Sequence, residues 1–284
     1  MSAQLLDGSS LASKVESELS LEVQKLASIG KSAGLGTLLV GDDAASDGYV
    51  RRKHEACARV GIKSFDKRLP KDATEADVLA VVEELNNNAK VSAFLVQLPL
   101  PSHLDSDKIL QSVMPAKDAD GLHPYNLGKL MMGSPGPIPC TPAGIQRLLV
   151  NYSIPIKGKH VVIVGRGLTI GRPLAVLLSQ KAPHANAAVT AVHTGVPDIG
   201  SYTRQADIVI AAAGVPGIIK PDMIKPGAVV VGAGISWSGK RILSDVEDSV
   251  AQVASWITPR IGGVGPMTVS MLMANAIKAA QISE

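Results

Sequence analysis

The sequence predicts an α/β protein of two domains, each a mainly parallel sheet flanked by helices, the second of the Rossmann type. Three observations carry that prediction. Short β-branched runs alternate with longer helical patterns, the order that βαβ units impose. The runs fall into two series separated by a stretch rich in glycine and proline. The chain's 284 residues, 46% of them hydrophobic, can fill two medium cores.

In the first series, "GTLLVG" (36–41), "IKSFDKRL" (62–69) and "SAFLVQLP" (92–99) read as strands, with helices near 10–29, 46–60 and 74–88. In the second, "HVVIVG" (160–165), "AAVTAVHT" (187–194), "DIVIAAAG" (207–214) and "AVVVGAG" (228–234) are apolar on both faces, as a sheet covered on both sides requires. Between them lies "MMGSPGPIPCTP" (131–142), which can continue neither a helix nor a central strand. A second crossing falls at "RIGGVGPMT" (260–268), followed by a helical pattern that returns to the first domain. The expected domains are therefore 1–138 completed by 266–284, and 139–265.

Composition narrows the function classes. The 28 basic and 25 acidic side chains leave a net charge of +3, and no basic run outlasts Arg51-Arg52-Lys53, so a nucleic-acid partner is not expected. No apolar run approaches ~18 residues and the amino terminus carries no targeting pattern, which predicts a cytoplasmic protein that does not enter a membrane. Cys57 and Cys140 read as reduced core residues. The six histidines lack ligand spacing, and no metal is expected. Trp237 and Trp256 read as packing residues, Met131, Met132 and the carboxy-terminal methionines as gap fillers, and Asp245 as a residue without a catalytic role.

"VVIVGRGLTIGRP" (161–173) runs from a strand through glycines into a helix, but Gly165, Gly167 and Gly171 are spaced GxGxxxG rather than the dinucleotide pattern GxGxxG. Glycines at a strand end let backbone approach a diphosphate at a helix amino terminus, and Pro173 suits a first helical turn. A plain βα connection would also fit. An NAD site places an acid at the end of the next strand. Here that strand ends in His193 and Thr194, with no acid before Asp198. Arg166, inside the turn, is suited to the 2′-phosphate of NADP, which is the favoured cofactor. Arg172 reads equally well as a solvated charge.

In the first domain, Tyr49 and Lys53 of "YVRRK" are four apart and share a helical face, which is also what an ordinary amphipathic helix shows. Arg51 and Arg52 beside Lys53 crowd positive charge. Gln97 ends a buried strand with an amide that needs a partner. "MPAKDADGLHPYNLG" (114–128) carries Asp118, suited to an Asx turn, and Asp120. By themselves these residues are candidates for one site.

Taken together, "LLVGDDAASDGYVRRKHEACARVGI", "FLVQLPLPSHLDSDKIL", "PAKDADGLHPYNLGKL", "PCTPAGI", "GRGLTIGRP" and "GGVGPMT" follow the order and spacing of one family. The chain resembles the bifunctional methylenetetrahydrofolate dehydrogenase/methenyltetrahydrofolate cyclohydrolase (FolD) family from about residue 37 to the final helix. The resemblance implies a folate cleft between the domains, an NADP cofactor and a homodimer formed through an exposed edge of the nucleotide domain. It also implies oxidation of 5,10-methylenetetrahydrofolate to the methenyl cation, followed by hydrolysis to 10-formyltetrahydrofolate.

By position, the resemblance makes Lys53 the essential group of the cyclohydrolase step, with Gln97 hydrogen-bonded to it. Tyr49 packs over the folate ring and Asp120 accepts from the pterin N–H groups. Leu98, Gly262 and Pro266 join the substrate set. Gly165, Arg166, Gly167, Thr169, Gly171, Arg172, His193, Thr194, Ala213, Gly214 and Ile235 form the cofactor set. Four departures stand out: Glu55 replaces a base and is read as a partner for Lys53, "DDAAS" lacks a usual proline, Gly232 replaces an acid, and Ile261 replaces a proline. The last two lie on the cofactor side, so the alternative reading is a cyclohydrolase with weakened dehydrogenase activity. Two rivals remain, a shikimate- or amino-acid-type dehydrogenase and a non-catalytic binding regulator.

Overall fold

The structure is a computed structural model that describes residues 2–239 and 241–282, without the side chains of 44, 45, 237 and 238. The "DDAAS" change and the packing of Trp237 fall on those side chains and lie outside the described residues. In chain order the described residues form β1 (Gln4–Leu5), α1 (Gly8–Ser28), β2 (Gly34–Val40), α2 (Ala44–Val60), β3 (Lys63–Leu69), α3 (Glu75–Asn87), β4 (Ala93–Val96), α4 (Ser106–Ser112), α5 (Pro124–Met132) and α6 (Cys140–Asn151). There follow β5 (His160–Val164), α7 (Gly171–Ser179), β6 (Ala188–Val192), α8 (Gly200–Thr203), β7 (Ile208–Ala211), β8 (Val229–Gly232), β9 (Ile235–Ser238), β10 (Arg241–Ser244), β11 (Trp256–Ile257) and α9 (Val264–Ile282).

The chain divides into two compact units. One runs from Ser13 to Ile138 and resumes at Val269. Its parallel sheet has the order β3-β2-β4. Central β2 is buried along its whole length, whereas β3 carries the charged side chains that keep an edge strand from pairing further. Leu38, Val78, Val82, Leu85, Phe94 and Ile109 form the core under α3 and α4. Helix α2 starts at Asp43, whose carboxylate accepts from the Ser46 amide at 2.8 Å, and stops at Gly61, where φ is 89°.

The other unit comprises the amino-terminal residues to Ala12 and Pro139–Thr268. Its six strands are all parallel, in the order β1-β11-β8-β7-β5-β6. Residues 4 and 5, in a stretch expected in the first domain, thus pair with the nucleotide-type sheet. The Tyr152 hydroxyl both accepts from Asp7 N and donates to Asp7 O at 3.1 Å. Residues 266–268, expected in the first domain, also lie in this unit, where Met267 packs against Gly144 of α6. The sheet starts at β5 and winds outward in both directions, to β6 on one side and to β7 and β8 on the other. Its order reverses between β5 and β7, the point at which open α/β sheets bind ligands.

Cys57 and Cys140 are core residues, and burial pushes the Cys57 thiol up to about 11. Trp256 packs on Tyr152, with ring centroids 5.3 Å apart. Met267 and Met273 are fully buried, but Met131 and Met132 are not gap fillers. They end α5 at 66% and 80% exposure, just before Gly133 terminates the helix. No helix among the described residues is long and apolar enough to cross a membrane.

Candidate functional site

On the unit built around β2, helix α2 and the end of β4 bring Lys53 and Gln97 together. Gln97 follows the last residue of β4, and its Oε1 accepts from Lys53 Nζ at 3.0 Å. The amide cannot turn over freely, since its Nε2 donates to Leu98 O at 2.7 Å, and this keeps the acceptor toward the lysine. Tyr49, one turn before Lys53, has Arg52 lying 4.5 Å over its half-buried ring. Arg51 pairs with Glu55 at 3.8 Å in an exposed i, i+4 contact. One expectation is corrected here. Glu55 partners Arg51 rather than Lys53, because residues two apart on a helix face different ways.

The two acids of "KDADG" divide their work as the sequence suggests. Asp118 is buried and accepts from the amides of Gly121, Leu122 and His123 and from Asn126 Nδ2, at 2.8 to 3.2 Å. It is the turn former. Asp120 keeps some solvent exposure but is walled in on most sides. Burial pushes its carboxyl up, the Lys53 charge pulls it back, and Asp118 adds to the rise. A carboxyl raised in the folded state contributes stability at low pH that is lost as pH rises through its folded value. Asp120→Asn has no such titration. Its stability relative to the parent protein should therefore improve steadily from the acid range to neutrality in urea unfolding. A stability relative to the parent that falls as pH rises would contradict this account of Asp120.

In the other unit, the turn after β5 explains the glycine spacing. Gly165 has φ of 137°, and a Cβ there would lie 2.1 Å from Ala212 O on the turn after β7. Gly171 opens α7, where a Cβ would lie 2.2 Å from Gly165 O. Both are required sterically. Gly167, by contrast, has nothing within 4 Å of a Cβ position, which leaves open backbone on an exposed turn. Arg166, Thr169 and Arg172 are exposed around it, and neither arginine has an ion-pair partner among the described residues. Pro173 lies in the first turn of α7. His193 Nδ1 accepts from Gly195 N at 3.1 Å, which orients the ring at the end of β6 beside exposed Thr194. An open glycine amide, a helix amino terminus and unpaired guanidinium groups fit the phosphates of NADP.

Sequence reasoning passed over Asp245. Its Oδ2 accepts from the amides of Ala213 and Gly214 at 2.7 and 2.8 Å, so it shapes the turn after β7. Its Oδ1 is buried without a hydrogen-bond partner. Burial raises this carboxyl, and the amides of Gly214, Ala213 and Val215 offset part of the rise. The "SDV" context gave no signal, because both donors come from a segment about thirty residues earlier. Ile235 and Ser236 begin β9 beside the same turn, with Ser236 Oγ donating to Gly214 O at 2.9 Å. Gly262 and Pro266 belong to this unit, whereas Tyr49, Lys53, Gln97, Leu98 and Asp120 belong to the other.

Neither cofactor-side departure disrupts packing. A Cβ at Gly232 would lie 3.0 Å from Ser244 Oγ, so Ser244 occupies the space next to the missing acid. Ile261 is 73% exposed.

An open parallel sheet with a glycine turn at its switch point, joined to a second α/β unit, places the chain among two-domain dehydrogenases. Comparison narrows the class. Residues 139–284 match the model of the tetrahydrofolate dehydrogenase/cyclohydrolase NAD(P)-binding domain, and residues 6–120 match that of the catalytic domain. The chain is 55% identical over 281 residues to "Bifunctional protein FolD" of Syntrophotalea carbinolica, covering 99% of this chain and 97% of that protein. The crystal structure of the bifunctional FolD enzyme from Campylobacter jejuni aligns with TM-score 0.94 at 42% identity, over 98% of this chain and 99% of that one. A Trypanosoma brucei methylenetetrahydrofolate dehydrogenase-cyclohydrolase, solved with NADP cofactor and inhibitor, aligns with TM-score 0.93 at 37% identity, over 99% and 98%. The chain belongs to the tetrahydrofolate dehydrogenase/cyclohydrolase family.

Proposed function

We propose that the two activities of this bifunctional one-carbon folate enzyme are shared out as follows. It oxidises 5,10-methylenetetrahydrofolate to 5,10-methenyltetrahydrofolate with NADP and then hydrolyses the product to 10-formyltetrahydrofolate. NADP, when bound, accepts the hydride from the methylene bridge. Arg166 and Arg172 hold its phosphates, with the open backbone of Gly165 and Gly167 and the hydroxyl of Thr169. His193, Thr194, Ala213, Gly214 and Ile235 line the remainder. Asp120 takes the two adjacent pterin N–H donors in a charge-assisted pair. Tyr49 stacks on the ring. Leu98, Gly262 and Pro266 complete the substrate set.

The methenyl carbon is cationic and therefore the electrophile of the second reaction. Lys53 takes a proton from the water that attacks this carbon, acting as a general base. The resulting ammonium returns the proton to N5 as the carbon–N5 bond breaks. The hydroxyl proton leaves as the formyl C=O forms, so one proton is released for each cation hydrolysed. Gln97 takes one N–H of Lys53 and so fixes where the reacting nitrogen stands. That hydrogen bond, beside Asp120, is the observation that carries the reading. The test is to supply methenyltetrahydrofolate alone and follow loss of its absorbance. Turnover supports the assignment, and a chain that leaves the cation at the uncatalysed rate contradicts it.

Arg166 reads the 2′-phosphate of NADP. Arg166→Ala should raise the Michaelis constant for NADP about tenfold, with little change for NAD. Equal changes would remove Arg166 from that role. No observation favours the weakened-dehydrogenase alternative. The protein works in the cytoplasm as a homodimer paired along the β6 edge of the six-stranded sheet, where Ala188 and Ala191 are exposed.

A further inference from the structure

We propose that Thr37 and His54 are positioning residues for the Lys53–Gln97 pair; the proposal rests on the reading of Lys53 as the base of the cyclohydrolase step. The four residues lie on a closed circuit. Lys53 Nζ donates to Gln97 Oε1 at 3.0 Å, and Gln97 N donates to Leu38 O at 2.8 Å. Leu38 is bonded to Thr37, whose Oγ1 lies 2.9 Å from His54 Nε2, and His54 is bonded to Lys53. Two peptide links and three hydrogen bonds thus fix how far α2 stands from the end of β4.

The direction of the middle hydrogen bond follows from its neighbour. Thr37 is fully buried, and its Oγ1 lies 3.2 Å from Asp66 Oδ1 on β3. A carboxylate only accepts, so Thr37 donates to Asp66 and accepts from His54 Nε2–H. Asp66 Oδ2 accepts from Arg68 Nε at 2.8 Å, and Arg68 Nη1 donates to Asp47 at 2.6 Å in the first turn of α2. The helix is tied to the sheet on both sides of the Tyr49–Lys53 segment, by Asp47 before it and His54 after it. A catalytic amine held this way loses rate when its anchor is cut, because a displacement of about 1 Å can cost up to about a hundredfold.

The test measures cyclohydrolase kcat and KM, per folded molecule of full-length protein, for Thr37→Val, Thr37→Ser, His54→Ala and His54→Gln. Thr37→Val removes the hydroxyl at nearly constant shape, and His54→Gln keeps a donor near the Nε2 position. The proposal expects kcat to fall about tenfold in Thr37→Val and His54→Ala, with KM within about twofold of the parent value. It expects Thr37→Ser and His54→Gln to restore kcat to within about twofold. Parental kcat in Thr37→Val and His54→Ala, even with lowered thermal midpoints, would overturn it, as would a loss that the conservative variants do not restore. The half-exposed His54 pair decides the matter if Thr37→Val does not fold. Lys53→Ala, assayed alongside, reports separately on the underlying reading, since full activity there removes the base and not merely its anchor.

Discussion

Lys53→Ala should abolish the cyclohydrolase reaction while the protein stays folded. The side chain is only half-buried on α2, and it donates to Gln97. Truncation therefore leaves one amide acceptor unpaired, at a cost of about 1 kcal/mol or less for a group that water can reach. Catalysis loses far more, because a positioned base contributes roughly a hundredfold to ten-thousandfold in rate. Dehydrogenase turnover should survive in part, since hydride transfer needs no proton from Lys53, and methenyltetrahydrofolate should then accumulate. Stopped assays that quantify methenyl and formyl products separately would show this. Formyl product at the parental rate would remove Lys53 from its assigned role.

Gly165→Ala should have the largest effect on the nucleotide unit. Its φ of 137° is a conformation that L side chains rarely adopt, and the new methyl would meet Ala212 O at 2.1 Å. Strain and overlap together should cost at least about 3 kcal/mol and push the turns after β5 and β7 apart, with loss of NADP binding. Gly167→Ala is the counterpart. With open space around its Cβ position and no left-handed φ, it should change stability by no more than about 0.5 kcal/mol. It should still weaken NADP binding if backbone approaches the phosphates there. Urea unfolding and cofactor titration of both variants would separate folding glycine from binding glycine. Equal destabilisation by the two would contradict the steric account.

Much of the fold was legible because its signals were local. The strands at β2, β4, β5, β7 and β8 are continuous apolar runs, and both central sheets are buried, so their sequences announce themselves. Strands β1 and β11 are two residues each and exist only because they pair with each other and with β8. No local pattern could report them. The β9–β10 hairpin was missed too, although Gly239, with φ of 59°, opens the two-residue connection between Ser238 and Arg241. At the site, Tyr49, Lys53, Gln97 and Asp120 could be singled out by spacing and by position at strand ends, and the family resemblance then supplied their roles. Asp245 and Thr37–His54 could not, because their meaning lies in partners between seventeen and thirty-two residues away.

The spacing GxGxxxG illustrates how a motif acquires a cause. The two outer glycines are fixed by contacts with Ala212 and with each other, since α7 begins close to the Gly165 carbonyl. The middle glycine is free of packing constraints.

The central claim is that one chain oxidises and then hydrolyses the same carbon. The most direct measurement supplies 5,10-methylenetetrahydrofolate and NADP to the purified protein and follows NADPH and 10-formyltetrahydrofolate in the same vessel. The account predicts that both appear, with formyl product overtaking any transient methenyl cation. NADPH with methenyltetrahydrofolate accumulating at its uncatalysed hydrolysis rate, or no NADPH at all, would contradict it.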